Sequence, residues 1–394
     1  MLKYFVGLYV LVTASIFGVD ILTSLAEDYS HFHMGRWNSV EKWFYAIKKV
    51  CMRWALHTPT LRIKKDCRYI LIDKITGKYG KKMVQSWQKA GCILGLIAAD
   101  ENSESIDIVS KIKEQLFDHS GSWKIRPNRI DYAMLAYAIL RVEKQPELIK
   151  KGMDQMIQCI EDNLCDDELV SYSAGKNAKR RYVDTLGFVC PFLALYGKVY
   201  DNKKYTKMAL NQISQFRKYG IINGLPIHCY ETETNMPIGI WGWGRGTGWY
   251  TLALIDMYNE INENADKQML KELLIETADR CLIYEREDGG FSSILQAKNV
   301  YDSSATAMLG YFYANCGLWF SNYEYIEIAK RCLNRLMHVT KINGVIDQCQ
   351  GDTIDIGIFS EKYGSMPFVQ GMTLRLAAIL RKGDEKNYAK EIKN

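Results

Sequence analysis

The sequence predicts an all-α protein assembled from six helical hairpins, and three observations carry that prediction. From about residue 66 onward, apolar residues return at three- and four-residue spacing, interrupted at Gly, Asn, Asp or Ser. The helical segments pair, and the pairs recur every 40 to 65 residues without a tetratricopeptide or ankyrin consensus. The breaks are also asymmetric, short after the second member of each pair and long, polar and aromatic before it.

In order, the hairpins are 66–84 with 86–99, 104–117 with 130–143, 146–162 with 183–199, 203–218 with 246–262, 268–285 with 302–317, and 322–339 with 366–381. Periodicity leaves open whether they stack as a solenoid or close into a ring. Either way, the long joins collect on one rim. Asp131, Asp184, Trp243 to Trp249 and Asp302-Ser303-Ser304 all fall there, each where a polar approach turns into an apolar helix. Helix N-termini carry unpaired N–H groups and partial positive charge, so a mouth ringed by them suits an anion. Ordinary capping is the competing reading and the better one for Asp302-Ser303-Ser304.

At 394 residues and 48% hydrophobic content the chain is globular, with a large core. Residues 66–394 read as one helical body, and residues 1–65 as a hydrophobic, basic helical extension. Of the net charge of +6, residues 1–90 carry 15 Lys and Arg against 6 Asp and Glu, so the body is nearly neutral. Clustered bases such as Lys48, Lys49, Arg53, Arg62, Lys64 and Lys65 suit nucleic acid or anionic lipid, but no nucleic-acid motif accompanies them and a solvated helix face is the better reading. The eleven cysteines are scattered without a CxxC pair, which supports neither a zinc site nor a disulfide framework and favours a reducing, cytoplasmic setting. Against that stands the uncharged run Tyr4 to Val19, followed by Asp20 and a Ser24-Leu25-Ala26 that resembles a signal-peptidase site. Residues 4–25 therefore read as an export signal, a membrane anchor or a helix packed on the body.

The most telling segment is WGWGRGTGWY, Trp241 to Tyr250. Alternating glycines allow close backbone approach, indoles stack on sugar rings, and the Arg245 fork fits a carboxylate. The alternative is a tight loop entering a helix with its tryptophans buried. Asp131 in RPNRIDYAMLAYAIL and Asp184 in RYVDTLGFVCPFLALYG occupy matching positions of two second-member helices. Paired carboxylates in unlike environments hold one proton between them and supply a general acid at neutral pH. His228 has no second histidine at ligand spacing and reads as a hydrogen-bonding residue rather than a metal ligand. There is no GxSxG elbow.

Taken together, RIDYAMLAYAIL, YVDTLGFVCPFLALYG, WGRGTGWYTLALIDM, YDSSATAMLGYFYA and FVQGMTLRLAAIL resemble the unsaturated glucuronyl and unsaturated rhamnogalacturonyl hydrolases, glycoside hydrolase families 88 and 105. The likeness spans roughly residues 87 to 380. It implies a six-hairpin α/α toroid whose inner ring opens onto the active site. It also implies removal of a 4,5-unsaturated uronic acid from the non-reducing end of lyase-generated oligosaccharides, through hydration of the enol-ether double bond. By position, Asp184 would be the general acid/base and Asp131 the second carboxylate. His228, Trp243, Arg245, Thr247 and Trp249 would bind the uronate, with Thr247 standing where these enzymes commonly carry an amide. The resemblance implies no metal and no organic cofactor. The rival expectations are a glycosidase acting on saturated chains and a non-catalytic glycan-binding toroid.

Overall fold

The computed structural model describes residues 1–59, 71, 86–99, 104–172, 178–298, 300–353 and 355–391. Six helices form a closed inner ring: α3 (Ser86–Ala99), α5 (Tyr132–Leu140), α7 (Val183–Val199), α9 (Gly244–Glu260), α11 (Ser303–Phe320) and α13 (Pro367–Glu391). Each packs on the next, and α13 packs back on α3. These segments are apolar nearly all round, which only a helix surrounded by protein tolerates. In α9 every residue from Gly244 to Met257 is buried. The ring's closing seam has no room for side chains: a Cβ on Gly371 would lie 1.9 Å from the Gly91 carbonyl oxygen.

Around this ring sit α2 (Val40–Leu56), α4 (Glu104–Leu116), α6 (Lys150–Glu161), α8 (Lys203–Gly220), α10 (Asn264–Leu282) and α12 (Tyr323–His338). The result is an all-α toroid of inner and outer helices, as expected. One expectation is corrected. Helix α2, placed by sequence in the extension, packs between α3 and α13 as an outer-ring member, burying Trp43, Ile47 and Cys51 completely. Its apolar stripe was legible, but its lysines drew the reading toward an appendage. The expected helix at 66–84 lies outside the described residues except for Leu71. Ahead of the ring runs α1 (Leu2–Phe32), none of whose residues is buried.

The rim joins carry short strands that helical periodicity does not foresee. β1 (Arg180–Tyr182) pairs antiparallel with β3 (Leu225–Glu231), Tyr182 opposite Cys229; β3 also pairs with β2 (Ile221–Ile222) and β4 (Pro237–Trp241). On the last join, β5 (Cys349–Gln350) pairs with β6 (Tyr363–Gly364). Asp302 caps α11 as expected, accepting from the Ser304 and Ala305 N–H groups at 3.0 and 3.3 Å. Its Oδ1 also accepts the Gln350 N–H at 2.9 Å, so the cap fixes β5 to the ring.

Candidate active site

The site is built where β1 runs directly into α7. Tyr182 is the helix N-cap and provides no side-chain cap, and Asp184 follows in the first turn. The pairing of β1 with β3 then brings His228, next to Cys229, against it: His228 Nε2 lies 3.7 Å from Asp184 Oδ2. The Gly357 N–H donates to His228 Nδ1 at 3.4 Å, which leaves the proton of the neutral ring on Nε2, facing Asp184. Burial, reinforced by Arg245 and opposed by Asp355, pushes the imidazole down to about 4, so His228 is uncharged at neutral pH.

Asp184 has the opposite problem. Its side chain keeps 15% exposure, toward a cavity of about 190 Å³. Burial raises its carboxyl from the ordinary 3.8 to about 7 despite the opposing pull of Arg245 and of its own backbone N–H, and Asp352 adds to the rise. The first turn of a helix favours a carboxylate by only about 0.3–1 kcal/mol, so desolvation wins. A carboxyl at that value is divided between its protonated and ionised forms at neutral pH.

Arg245 enters from α9. Trp243 is the N-cap, and α9 can start here because Gly244 lets the backbone pass Ser292; a Cβ would stand 2.3 Å from the Ser292 carbonyl oxygen. The Arg245 guanidinium, 1% exposed, donates to the carbonyls of Gln350 and Gly351 at 2.6 and 2.7 Å. Among the described residues no carboxylate pairs with it, although it lines the cavity. A buried cation without a counter-charge is costly, and an incoming anion would supply one.

Trp249, one turn beyond Arg245, forms the cavity's aromatic wall with Trp87 and Phe188, at centroid distances of 5.5 and 4.8 Å. Gly187 makes room for it, since a Cβ there would meet the indole at 2.6 Å. Asp184, His228, Arg245 and Trp249 thus share one cavity. Trp243, Thr247 and Asp131 do not line it. Trp243 is buried behind, its ring 4.9 Å from His228 and 5.3 Å from the Arg245 guanidinium, with Nε1 donating to Gln350. Thr247 is fully buried, its hydroxyl donating to the Trp243 carbonyl at 3.1 Å. Asp131 takes a bidentate grip from Arg129 and the Ser86 N–H at 3.2 Å.

Sequence reasoning did not single out Tyr172, Tyr182, Asp352 or Asp355, all of which line the cavity. The length of the join before α13 was the available signal for the two acids. The one described cluster with ligand-like spacing, Glu27, His31 and Asp347, lies elsewhere and already holds the Lys341 ammonium.

Solved structures with the same architecture include a possible GH105 family member from Klebsiella pneumoniae subsp. pneumoniae, 16% identical over 87% of this chain and 93% of that one, TM-score 0.70. An unsaturated glucuronyl hydrolase specific for heparin is 12% identical over 88% and 98%, TM-score 0.64. A third, a UGL variant with dGlcA-Glc-Rha-Glc, is 13% identical over 88% and 96%, TM-score 0.62. No curated protein matches by sequence. At these identities the likeness carries the fold. The family follows from the match of residues 63–378 to the model for Glycosyl Hydrolase Family 88, and the chain belongs to that family.

Proposed function

We propose that this protein removes a 4,5-unsaturated uronic acid from the non-reducing end of lyase-generated oligosaccharides by hydrating the enol-ether double bond. One observation carries the reading: a carboxyl poised at about 7 shares a small aromatic cavity with a buried guanidinium that lacks a carboxylate partner. A uronate matches both halves, its carboxylate meeting Arg245 and its planar ring lying against Trp249 and Trp87.

The chemistry needs one group that first gives and then takes a proton. Protonated Asp184 delivers its proton to C4 of the double bond, and the positive charge that develops at C5 is shared with the ring oxygen. Water then adds to C5 while the Asp184 carboxylate takes its proton, restoring the acid. The hemiketal so formed opens and releases the attached sugar. His228, neutral with Nε2 3.7 Å from Asp184, places a polar group beside the carboxyl without adding a charge that would drain its proton. Among the relatives, one is specific for heparin and another carries dGlcA-Glc-Rha-Glc, which supports a glycan substrate.

A saturated-chain glycosidase would need a second catalytic carboxyl beside Asp184, and the Asp131 expected for that role does not line the cavity. Asp131 is committed to Arg129 and the α3 N-terminus. The test is loss of the conjugated enol's ultraviolet absorbance with a panel of lyase-generated glucuronyl and galacturonyl disaccharides, Asp184→Asn serving as control. Loss with wild type alone supports hydration and ranks the substrates. No loss across the panel removes this function.

A further inference from the structure

Helix α1 remains unexplained by the site. It is 31 residues long, about 46 Å at 1.5 Å per residue, and among the described residues it is the one helix long and apolar enough to cross a membrane. Its apolar residues point outward on every side, with Tyr4 85%, Tyr9 72% and Leu22 68% exposed. Such a surface has no place in water. From Leu2 to Val19 the only charge is Lys3, and this stretch spans about 27 Å, close to the roughly 30 Å of a hydrocarbon core.

The other end of α1 is fixed to the body. Asp20 accepts the Leu71 N–H at 2.8 Å. Glu27 and His31 join the buried pair Lys341 and Asp347, with His31 Nε2 3.4 Å from each acid. The Gly35 N–H and the Trp37 indole both donate to the Thr340 carbonyl. The apolar stretch therefore projects from a rigid mount. Next to that mount, α2 turns Lys42, Lys49 and Arg53 outward along one face, with Tyr45 55% exposed beside them. A basic stripe with an aromatic, on the helix that follows the apolar one, is complementary to an anionic lipid surface.

We propose that α1 is a retained bilayer anchor and that the Lys42, Lys49 and Arg53 stripe rests on anionic headgroups, holding the toroid at the membrane. The mount holds Thr340, Lys341 and Asp347, which begin the join whose Asp352 and Asp355 line the cavity. Full-length protein expressed with native residues 1–394 is the material for the test, read by alkaline carbonate extraction, intact mass, and flotation with vesicles. The expected result is a membrane-bound chain of full mass, released by detergent and not by carbonate. A mature chain beginning at Glu27, or a full-length chain that stays soluble without detergent, overturns the proposal. Val10→Arg with Phe17→Arg should abolish flotation on both phosphatidylcholine and phosphatidylglycerol vesicles. Lys42→Glu with Lys49→Glu and Arg53→Glu should keep binding to neutral vesicles and lose at least tenfold of the preference for anionic ones; an undiminished preference overturns the headgroup assignment. All five positions are solvent-facing, so unchanged melting in detergent shows that the variants fold. Flotation is independent of turnover and separates this proposal from the hydrolase reading.

Discussion

Replacing Asp184 by asparagine should stabilise the fold at alkaline pH while removing activity. The carboxyl titrates near 3.8 in an unfolded chain and at about 7 in the native site. Between those values the native state holds a proton that the unfolded state has released. Stability therefore falls by about 1.4 kcal/mol per pH unit across the window. Roughly three pH units give a loss of about 4 kcal/mol, complete above about pH 7 and absent below about pH 4. Asparagine keeps the shape and has no proton to lose, so the gap between variant and wild type should open from near zero at pH 4 to about 4 kcal/mol at pH 8. With an unfolding entropy of about 2.1 cal/mol/K per residue, 1 kcal/mol moves the melting temperature of a chain this size by about 1 °C. Scanning calorimetry or urea titration at pH 4, 6 and 8 reads the gap directly. A difference between the two proteins that does not grow with pH would refute the claim that burial holds the Asp184 proton.

The rate should follow the same groups: kcat/KM falls as pH rises through about 7, where Asp184 loses its proton, and falls again below about 4, where His228 gains one. A rate flat from pH 6 to 9 would exclude Asp184 as the acid. Arg245→Lys should raise KM for an unsaturated uronide by about 10- to 100-fold, the loss of one charge-assisted bond, and change KM for a neutral analogue far less; steady-state kinetics on both substrates decides it. Thr247→Val should leave kcat/KM within about threefold, since the hydroxyl bonds its own helix; a much larger loss would return Thr247 to the substrate. Gly371→Ala should cost about 3 kcal/mol or more in urea unfolding because its methyl group has only the Gly91 backbone to meet.

The rim of inner-helix starts was legible because its signals are local: a periodic apolar run preceded by a polar approach. Asp184, Arg245 and Trp249 stand at such starts, whereas His228 lies on the join before α9 and was singled out by the resemblance. Within the tryptophan-glycine motif, the sorting of residues was not legible. Helix α9 begins at Gly244, two residues earlier than its periodicity suggests. Once those residues are helical, Arg245 and Trp249 at i and i+4 share a face, and Thr247, two positions on, is turned away from it. A motif read as a loop would present all three. Asp352 and Asp355 depend on a long-range fact: β5 is fixed by the Asp302 cap and by Arg245, which sets the following residues over a mouth built more than a hundred positions earlier. Asp131 stands at an inner-helix start as expected, and there its carboxylate bonds Arg129, two positions before it, outside the cavity lining.

The glycine seam between α3 and α13 bears on how the molecule is made. The two helices that must mesh backbone to backbone stand at nearly opposite ends of the chain, so the ring cannot shut until synthesis has delivered its last helix. Until then the growing polypeptide carries an open arc with an apolar inner face at each end, the kind of intermediate that invites pairing with another chain. Delivery of α13 is therefore the step at which the ring can close on itself.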